Sequence, residues 1–159
     1  MNAPLYTVEQ RRRRDASPWT MVQGVLAPVQ FLIFLVSLWL VISYLATGEG
    51  FATATISVIV KTIALYAIMI TGAIWEKDVY GRYLFAPAFF WEDVLSMGVL
   101  ALHTAYLGAI FFNIGSPRTQ MIIALAAYAS YVVNAGQYIW KLRRARLESA
   151  AHIASGHPA

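Results

Sequence analysis

The sequence contains no cysteine among its 159 residues. This absence excludes disulfide bonds, thiolate chemistry and iron–sulfur clusters within the chain. Charged residues are also scarce, at 13% of the total, whereas hydrophobic residues make up 59% and aromatic residues 14%. These proportions lie well outside the average for soluble domains and predict a membrane protein. The length corresponds to a single domain.

Several kinds of functional site are missing as well. His103 is the one histidine within an apolar stretch, which excludes a bis-histidine haem site, and no group of His and Cys residues suits zinc. Neither a glycine-rich phosphate loop nor a GxSxG nucleophile motif occurs. A transporter is disfavoured because the sequence has no internal repeat and no carboxylate in the middle of an apolar run.

Four long apolar runs predict an all-α fold, an integral membrane four-helix bundle. Each run is close to the ~20 residues that a helix needs to cross the hydrocarbon core. The predicted spans cover about residues 22–45, 51–75, 94–112 and 117–140. The corresponding division of the chain is an N-terminal tail at 1–17, a transmembrane domain at 18–146 and a disordered C-terminal tail at 147–159. We interpret the N-terminal tail as uncleaved, because the apolar run after it is too long for a signal peptide.

Basic residues are concentrated in the two tails and in the loop between the second and third spans. These are Arg11, Arg12, Arg13, Arg14, Lys77, Arg82, Lys141, Arg143, Arg144 and Arg146. The other two loops together hold only Arg118. The positive-inside rule therefore predicts that both termini are cytoplasmic. The net charge of +4 is explained by topology and contact with lipid, so we do not expect nucleic-acid binding.

The segment from Trp75 to Asp93, WEKDVYGRYLFAPAFFWED, differs from an ordinary connecting loop. Its four carboxylates and two cations alternate with aromatic residues. The acids are Glu76, Asp78, Glu92 and Asp93. An aromatic, acidic mouth at the membrane surface suits a flat, apolar, partly anionic ligand and acid–base chemistry on it.

Two ionisable residues, Lys61 and His103, lie inside predicted spans, where a charge is costly and is often functional. Lys61 is near the far end of its span, so its amine has the alternative of reaching outward to that surface. His103 follows Glu92 by eleven residues, roughly three helical turns, so the two share a helix face. The alternative for His103 is an interior imidazole bonded to a carbonyl or a tyrosine.

The run TGAIWEKDVYGRYLFAPAFFWEDVLSMGVLALHTAYL, together with RRRRDASPWTMVQGVLAPVQFL upstream, resembles the 3-vinyl (bacterio)chlorophyllide hydratases of bacteriochlorophyll biosynthesis. The similarity extends over about residues 5–146. It implies a membrane lyase that adds water across the C3 vinyl group of a magnesium chlorophyllide, giving a 1-hydroxyethyl group. It also implies a multi-pass protein of the bacterial inner membrane, cytoplasmic or intracytoplasmic, without a cofactor. Other enzymes of the pathway are candidate partners, besides the substrate and the bilayer.

The resemblance implies an acid and a base in the acidic segment. Hydration requires a proton on the terminal vinyl carbon and deprotonation of the attacking water, roles that two carboxyl groups in different environments can divide. The candidates are Glu92, Asp93 and Glu76, and Glu92 is preferred because it faces His103. Asp93 has the alternative role of capping the third span. His103 is a candidate axial ligand to the substrate magnesium, or the base itself.

The remaining candidates would bind the substrate. Lys77 and Arg82 would bind the C17 propionate, and Lys61 would contribute from within the bundle. The rings expected to stack on the macrocycle are Trp75, Phe89, Phe90 and Trp91. A role in the aromatic belt of the membrane interface is the alternative for both tryptophans. The alternative function is a non-enzymatic membrane carrier or assembly factor that binds chlorins unchanged.

Overall fold

The computed structural model describes residues 5–154, which form five α-helices. They are α1 (Val8–Ala16), α2 (Pro18–Thr47), α3 (Phe51–Tyr80), α4 (Phe90–Phe111) and α5 (Pro117–Ala154). Helices α2 to α5 are each long and apolar enough to cross a membrane. The all-α class and the four membrane-crossing helices predicted from the sequence are therefore confirmed.

The helices extend beyond the apolar runs because backbone hydrogen bonding continues into the polar flanks. Helix α3 ends at Tyr80 and is capped by Gly81, whose φ of 82° is a left-handed conformation that favours glycine. Helix α4 begins at Phe90, so Glu92 and Asp93 lie in its first turn. Negative charge is favourable there because the helix dipole is positive at its N-terminus.

The bundle consists of two helical hairpins. Helix α2 packs against α3, helix α4 packs against α5, and smaller contacts join α2 to α5 and α3 to α4. The buried core contains Phe34, Val41, Val58, Leu65, Val99, Tyr106, Met121, Ala124 and Tyr128. Only 22–28% of the residues in the most apolar window of each long helix are buried. Most of the apolar surface therefore faces outward, as in a multi-pass membrane protein, where lipid covers it.

Helix α1 folds back on the end of α3. The ring of Tyr6 stacks on Tyr80 with 6.0 Å between centroids, and Tyr80 donates a hydrogen bond to the carbonyl oxygen of Leu5 at 3.2 Å. Burial raises the pKa of Tyr6, so the phenol stays neutral in this contact. Ser17 precedes α2 at the N-cap position, but its hydroxyl accepts no hydrogen bond from the first turn of the helix and instead donates one to Asp78 at 2.8 Å.

These contacts gather three segments at one end of the bundle. Helix α1 lies against α3, the loop at residues 81–89 joins α3 to α4, and Lys141 of α5 pairs with Glu92 of α4. We call this end of the molecule the loop end.

The disorder predicted from residue 147 onward is not observed in the described part of that tail, because α5 continues to Ala154. The reason is local: LESAAHIA, residues 147–154, is rich in strong helix formers and holds neither glycine nor proline. Arg144 and Glu148 add an i,i+4 ion pair at 3.7 Å. The rest of the predicted tail, residues 155–159, lies outside the described residues.

Candidate active site

Two buried carboxylates hold the loop at the loop end. Glu76 Oε1 accepts a hydrogen bond from the backbone N–H of Ala86 at 2.5 Å, and Asp93 Oδ2 accepts one from the N–H of Phe85 at 2.8 Å. Glu76 and Asp93 are each 4% exposed. One comes from the last turns of α3 and the other from the first turn of α4, so they close the loop from both sides.

The two carboxyl groups also interact with each other. Their side chains are within hydrogen-bonding range, which brings two acids that are distant in sequence to one point. The hydroxyl of Tyr138 on α5 donates to Asp93 Oδ1 at a longer 3.4 Å. A buried carboxyl pair is a recurring arrangement in which one proton is shared between two acids.

Phe85 has a φ of 60°, a left-handed conformation that is unfavourable for a residue with a Cβ. We expect a Phe85→Gly variant to be more stable than Phe85→Ala by about 1 kcal/mol, because glycine adopts this conformation without strain. Both variants lose the ring contact with Phe90, so comparing their thermal unfolding in detergent isolates the backbone effect. An alanine variant at least as stable as the glycine variant would contradict the prediction.

Glu92 has a different environment. It is 7% exposed, and its Oε2 forms an ion pair with Lys141 Nζ at 2.7 Å. The pair borders a cavity of about 230 Å³ that is also lined by Trp140 and Arg144. Glu92 therefore lies in an ion pair beside open space, whereas Glu76 and Asp93 are covered by the loop.

Phe89 occupies the centre of an aromatic cluster under the loop. It is 3% exposed, and its ring lies 5.9 Å from the rings of Trp75, Tyr80 and Tyr138. The indole N–H of Trp75 donates to Thr20 on α2 at 2.9 Å. The predicted stacking residues Trp75 and Phe89 are thus packed within the protein in this structure.

The other predicted substrate-binding residues of the segment lie on its outside. Phe90 is 43% exposed and Trp91 is 70% exposed. Lys77 and Arg82 are both exposed, and Lys77 donates to the carbonyl oxygen of Gly81 at 2.9 Å. These four side chains are free to meet a ligand that arrives at the membrane surface.

Lys61 and His103 lie together in the interior and are fully buried. The amine of Lys61 is 3.8 Å from the centre of the Tyr131 ring, a cation–π contact, and is close enough to His103 to interact electrostatically. The alternative that Lys61 reaches outward to the surface is wrong. His103 Nδ1 donates to the carbonyl oxygen of Val99 at 2.8 Å, and its Nε2 has no partner within the protein.

The predicted face shared by Glu92 and His103 is present, since both are buried on α4 together with Ser96 and Val99. At ~1.5 Å per residue the two are nevertheless about 16 Å apart along the helix. The side chain of Glu92 reaches toward Lys141 and so does not shorten this separation. The carboxylate group and the Lys61–His103 pair are therefore two separate places in the molecule.

Three residues of the site were missed from the sequence: Lys141, Tyr138 and Asn134. Each lies on α5 and contacts the first turns of α4, including a hydrogen bond from Asn134 Nδ2 to Ser96 Oγ at 2.8 Å. The sequence could have indicated these contacts, because the short connection at residues 113–116 predicts that the helices on either side of it pack as an antiparallel hairpin. Positions at similar distances on either side of that turn must face each other.

No cluster of three or more His, Cys, Asp or Glu residues suited to a metal ion occurs in the part of the chain that the structure describes. The described side chains include groups that can transfer protons. The carboxyl pair of Glu76 and Asp93, the ion-paired Glu92 and the hydroxyl of Tyr138 meet at the first turn of α4.

The fold defines a multi-pass membrane protein, and three buried carboxyl groups gather at the loop end of its bundle. The chain belongs to the 2-vinyl bacteriochlorophyllide hydratase (BCHF) family, whose model matches residues 6–144. A protein of Cereibacter sphaeroides named 2-vinyl bacteriochlorophyllide hydratase is 68% identical over 148 residues, 92% of this chain and 91% of the relative. A protein of the same name from Rhodobacter capsulatus is 66% identical over 151 residues, 94% of this chain and 87% of the relative.

The family membership predicted from the resemblance is confirmed. These names place the vinyl group at position 2, whereas the name of the resembled family places it at position 3. No solved structure matches the chain.

Proposed function

We propose that this chain is a hydro-lyase that adds water across the vinyl group of a magnesium bacteriochlorophyllide to give a 1-hydroxyethyl group. The two relatives, which match this chain over most of their length, are named for this activity. The structural observation that supports it is the set of three buried carboxyl groups, Glu76, Glu92 and Asp93, with one paired cation at the loop end.

In the first step the Glu76–Asp93 pair acts as the acid. Its shared proton is transferred to the terminal carbon of the vinyl group, which becomes a methyl group. The positive charge develops on the carbon next to the macrocycle and is delocalised into the ring. Two carboxylates then remain close to this cation, and their negative charge stabilises it in a site with little water.

In the second step water attacks the cationic carbon and Glu92 accepts its proton. Glu92 is suited to this role because it is paired with the ammonium of Lys141 and borders a cavity that can admit water or substrate. Glu92 is next to Asp93, close enough for their charges to interact. Return of the proton from Glu92 to the Glu76–Asp93 pair completes the cycle, with one water added to the substrate.

The substrate must reach carboxyl groups that the loop covers. The segment at residues 81–89 is held over them by the N–H groups of Phe85 and Ala86, and we propose that it moves aside when the macrocycle binds. The exposed rings of Phe90 and Trp91 give the macrocycle an apolar surface. Lys77 and Arg82 are proposed to bind its propionate.

We further propose that the loop end faces the cytoplasm, with both termini on that side, in the bacterial inner or intracytoplasmic membrane. The support is the concentration of arginine and lysine in α1, the loop and the last turns of α5. Within the transmembrane domain proposed at 18–146, the only basic residue at the opposite end is Arg118, in the first turn of α5.

The test is an assay of the purified protein in detergent with vinyl-bearing chlorophyllide. We expect a product heavier by one water, with absorption at shorter wavelength because conjugation with the vinyl group is lost. The analogue with an ethyl group should bind and stay unchanged. Binding of the vinyl substrate without a change of mass would instead indicate a chlorin carrier.

A further inference from the structure

The interior of the bundle contains polar side chains that the proposed acid–base chemistry does not use. Among the described residues, buried side-chain atoms of Lys61, His103, Asn134 and Gln137 have no hydrogen-bonding partner within the protein. Other buried polar groups of the interior lie within reach of each other, Thr55 of Tyr106 and Gln30 of Tyr131. Leaving a buried polar atom unpaired is costly, and the cost is greater in a bilayer. The unpaired groups of Lys61, His103 and Asn134 therefore indicate a ligand that pairs with them.

Part of this set forms a column that begins at the carboxyl groups. Tyr138 contacts Asp93 at 3.4 Å and also lies within reach of Ser96. Ser96 accepts a hydrogen bond from Asn134 Nδ2 at 2.8 Å. Asn134 is 8% exposed, and its Oδ1 is one of the unpaired atoms. The column therefore descends from Asp93 between α4 and α5.

The column continues to the middle of the bundle. Tyr131 is three residues before Asn134 and lies on the same face of α5. The amine nitrogen of Lys61 lies 3.8 Å from the centre of the Tyr131 ring. Lys61 in turn interacts with His103. The unpaired groups along this route are of opposite kinds, because the amine of Lys61 has hydrogens to donate whereas Asn134 Oδ1 and His103 Nε2 accept.

We propose that a file of water molecules binds in this column, from Lys61 and His103 to Asp93, and supplies the water consumed in the proposed hydration. Water both donates and accepts hydrogen bonds, so it is complementary to a column of mixed donors and acceptors. The supply role rests on the proposed function. A macrocycle lying over the loop end would exclude bulk water from the carboxyl groups, and the column reaches them from behind.

Radiolytic footprinting tests whether the water is present, independently of activity. A short X-ray pulse generates hydroxyl radicals from bound water, and these oxidise neighbouring side chains. We expect oxygen incorporation at His103 and Tyr131, although they are 0% and 7% exposed. Met121 is the control, because it is fully buried in the apolar core and methionine is highly reactive toward radicals. His103 and Tyr131 as unreactive as Met121 would overturn the proposal.

Kinetics test the supply role. Asn134→Leu replaces the column amide with an apolar group of similar size and should lower kcat about tenfold, with KM for the macrocycle unchanged. Its rate should also fall more steeply than that of the wild type when an excluded cosolute lowers water activity. Ser130→Ala is the matched control on α5, because this hydroxyl donates within its own helix to Ala127.

The two tests separate the possible failures. If His103 and Tyr131 are oxidised but the Asn134→Leu variant is as fast as the wild type, the supply role is overturned and the water site is only structural. A wild-type protein that binds the substrate without hydrating it would overturn the proposed function, whatever the labelling result.

Discussion

Glu76→Gln is expected to lower kcat by about 10²- to 10⁴-fold, the usual range for loss of a general acid. Glutamine cannot supply a carboxyl proton, so the vinyl carbon is not protonated. The side-chain oxygen of glutamine can still accept the hydrogen bond from Ala86, so the loop stays in place. Product formation by mass spectrometry and substrate affinity by absorption titration measure the two effects separately. Affinity should change little.

Asp93→Asn should behave in the same way, because the proton is shared between the two acids. Asp78→Asn is the matched control, since Asp78 is on the same helix as Glu76 but bonds to Ser17 outside the carboxyl pair. We expect this control to retain activity. Wild-type turnover by both Glu76→Gln and Asp93→Asn would eliminate the pair as the acid.

The second large effect concerns the ion pair between Glu92 and Lys141. Lys141→Met should destabilise the protein by about 2–3 kcal/mol, because it leaves a buried carboxylate without its cation. This is less than for a fully buried pair, since the Lys141 side chain is 27% exposed. Activity should fall as well, because the proposed base loses the cation that holds its carboxylate in place. Unfolding in detergent and turnover measure the two quantities.

The double variant Glu92→Gln/Lys141→Met separates stability from catalysis. Removing both charges should restore most of the lost stability, whereas activity stays low because the base is absent. Arg144→Met is the control for a lost cation, because both Arg144 and its partner Glu148 are about half exposed and the pair contributes little. A double variant as unstable as Lys141→Met would show that the loss is one of packing and not of charge.

The four membrane helices followed from hydropathy because apolar runs of this length have few alternatives in a sequence without strand patterns. Hydropathy did not predict where the helices end. Hydropathy reports where lipid begins, whereas a helix ends where its hydrogen bonding ends, as at Gly81. For this reason Glu92 and Asp93 were predicted before the third span and are found within the first turn of α4. Residues 147–154 are a second example, because they follow the last apolar run and were predicted as a disordered tail, yet α5 continues through them.

The acidic, aromatic segment could be proposed as a site from sequence because charges are rare elsewhere between the two tails. Its internal arrangement was not. Whether Glu76 meets Asp93 depends on the path of the loop between them, and the pairing of Glu92 with Lys141 depends on how α4 and α5 align. Sequence spacing placed His103 and Glu92 on one helix face. It did not reveal that Glu92 pairs with Lys141 at the loop end whereas His103 lies with Lys61 in the interior. Tertiary packing decides each of these points.

The most direct test of the central claim is to run the reaction in heavy water and analyse the product by mass spectrometry and NMR. Proton transfer from an exchangeable carboxyl group to the terminal vinyl carbon predicts one deuterium in the new methyl group, at a position that does not exchange afterward. In Glu76→Gln this labelled product should be nearly absent. A hydrated product without deuterium in the methyl group, or equal labelling and rate in Glu76→Gln, would contradict acid catalysis by the carboxyl pair.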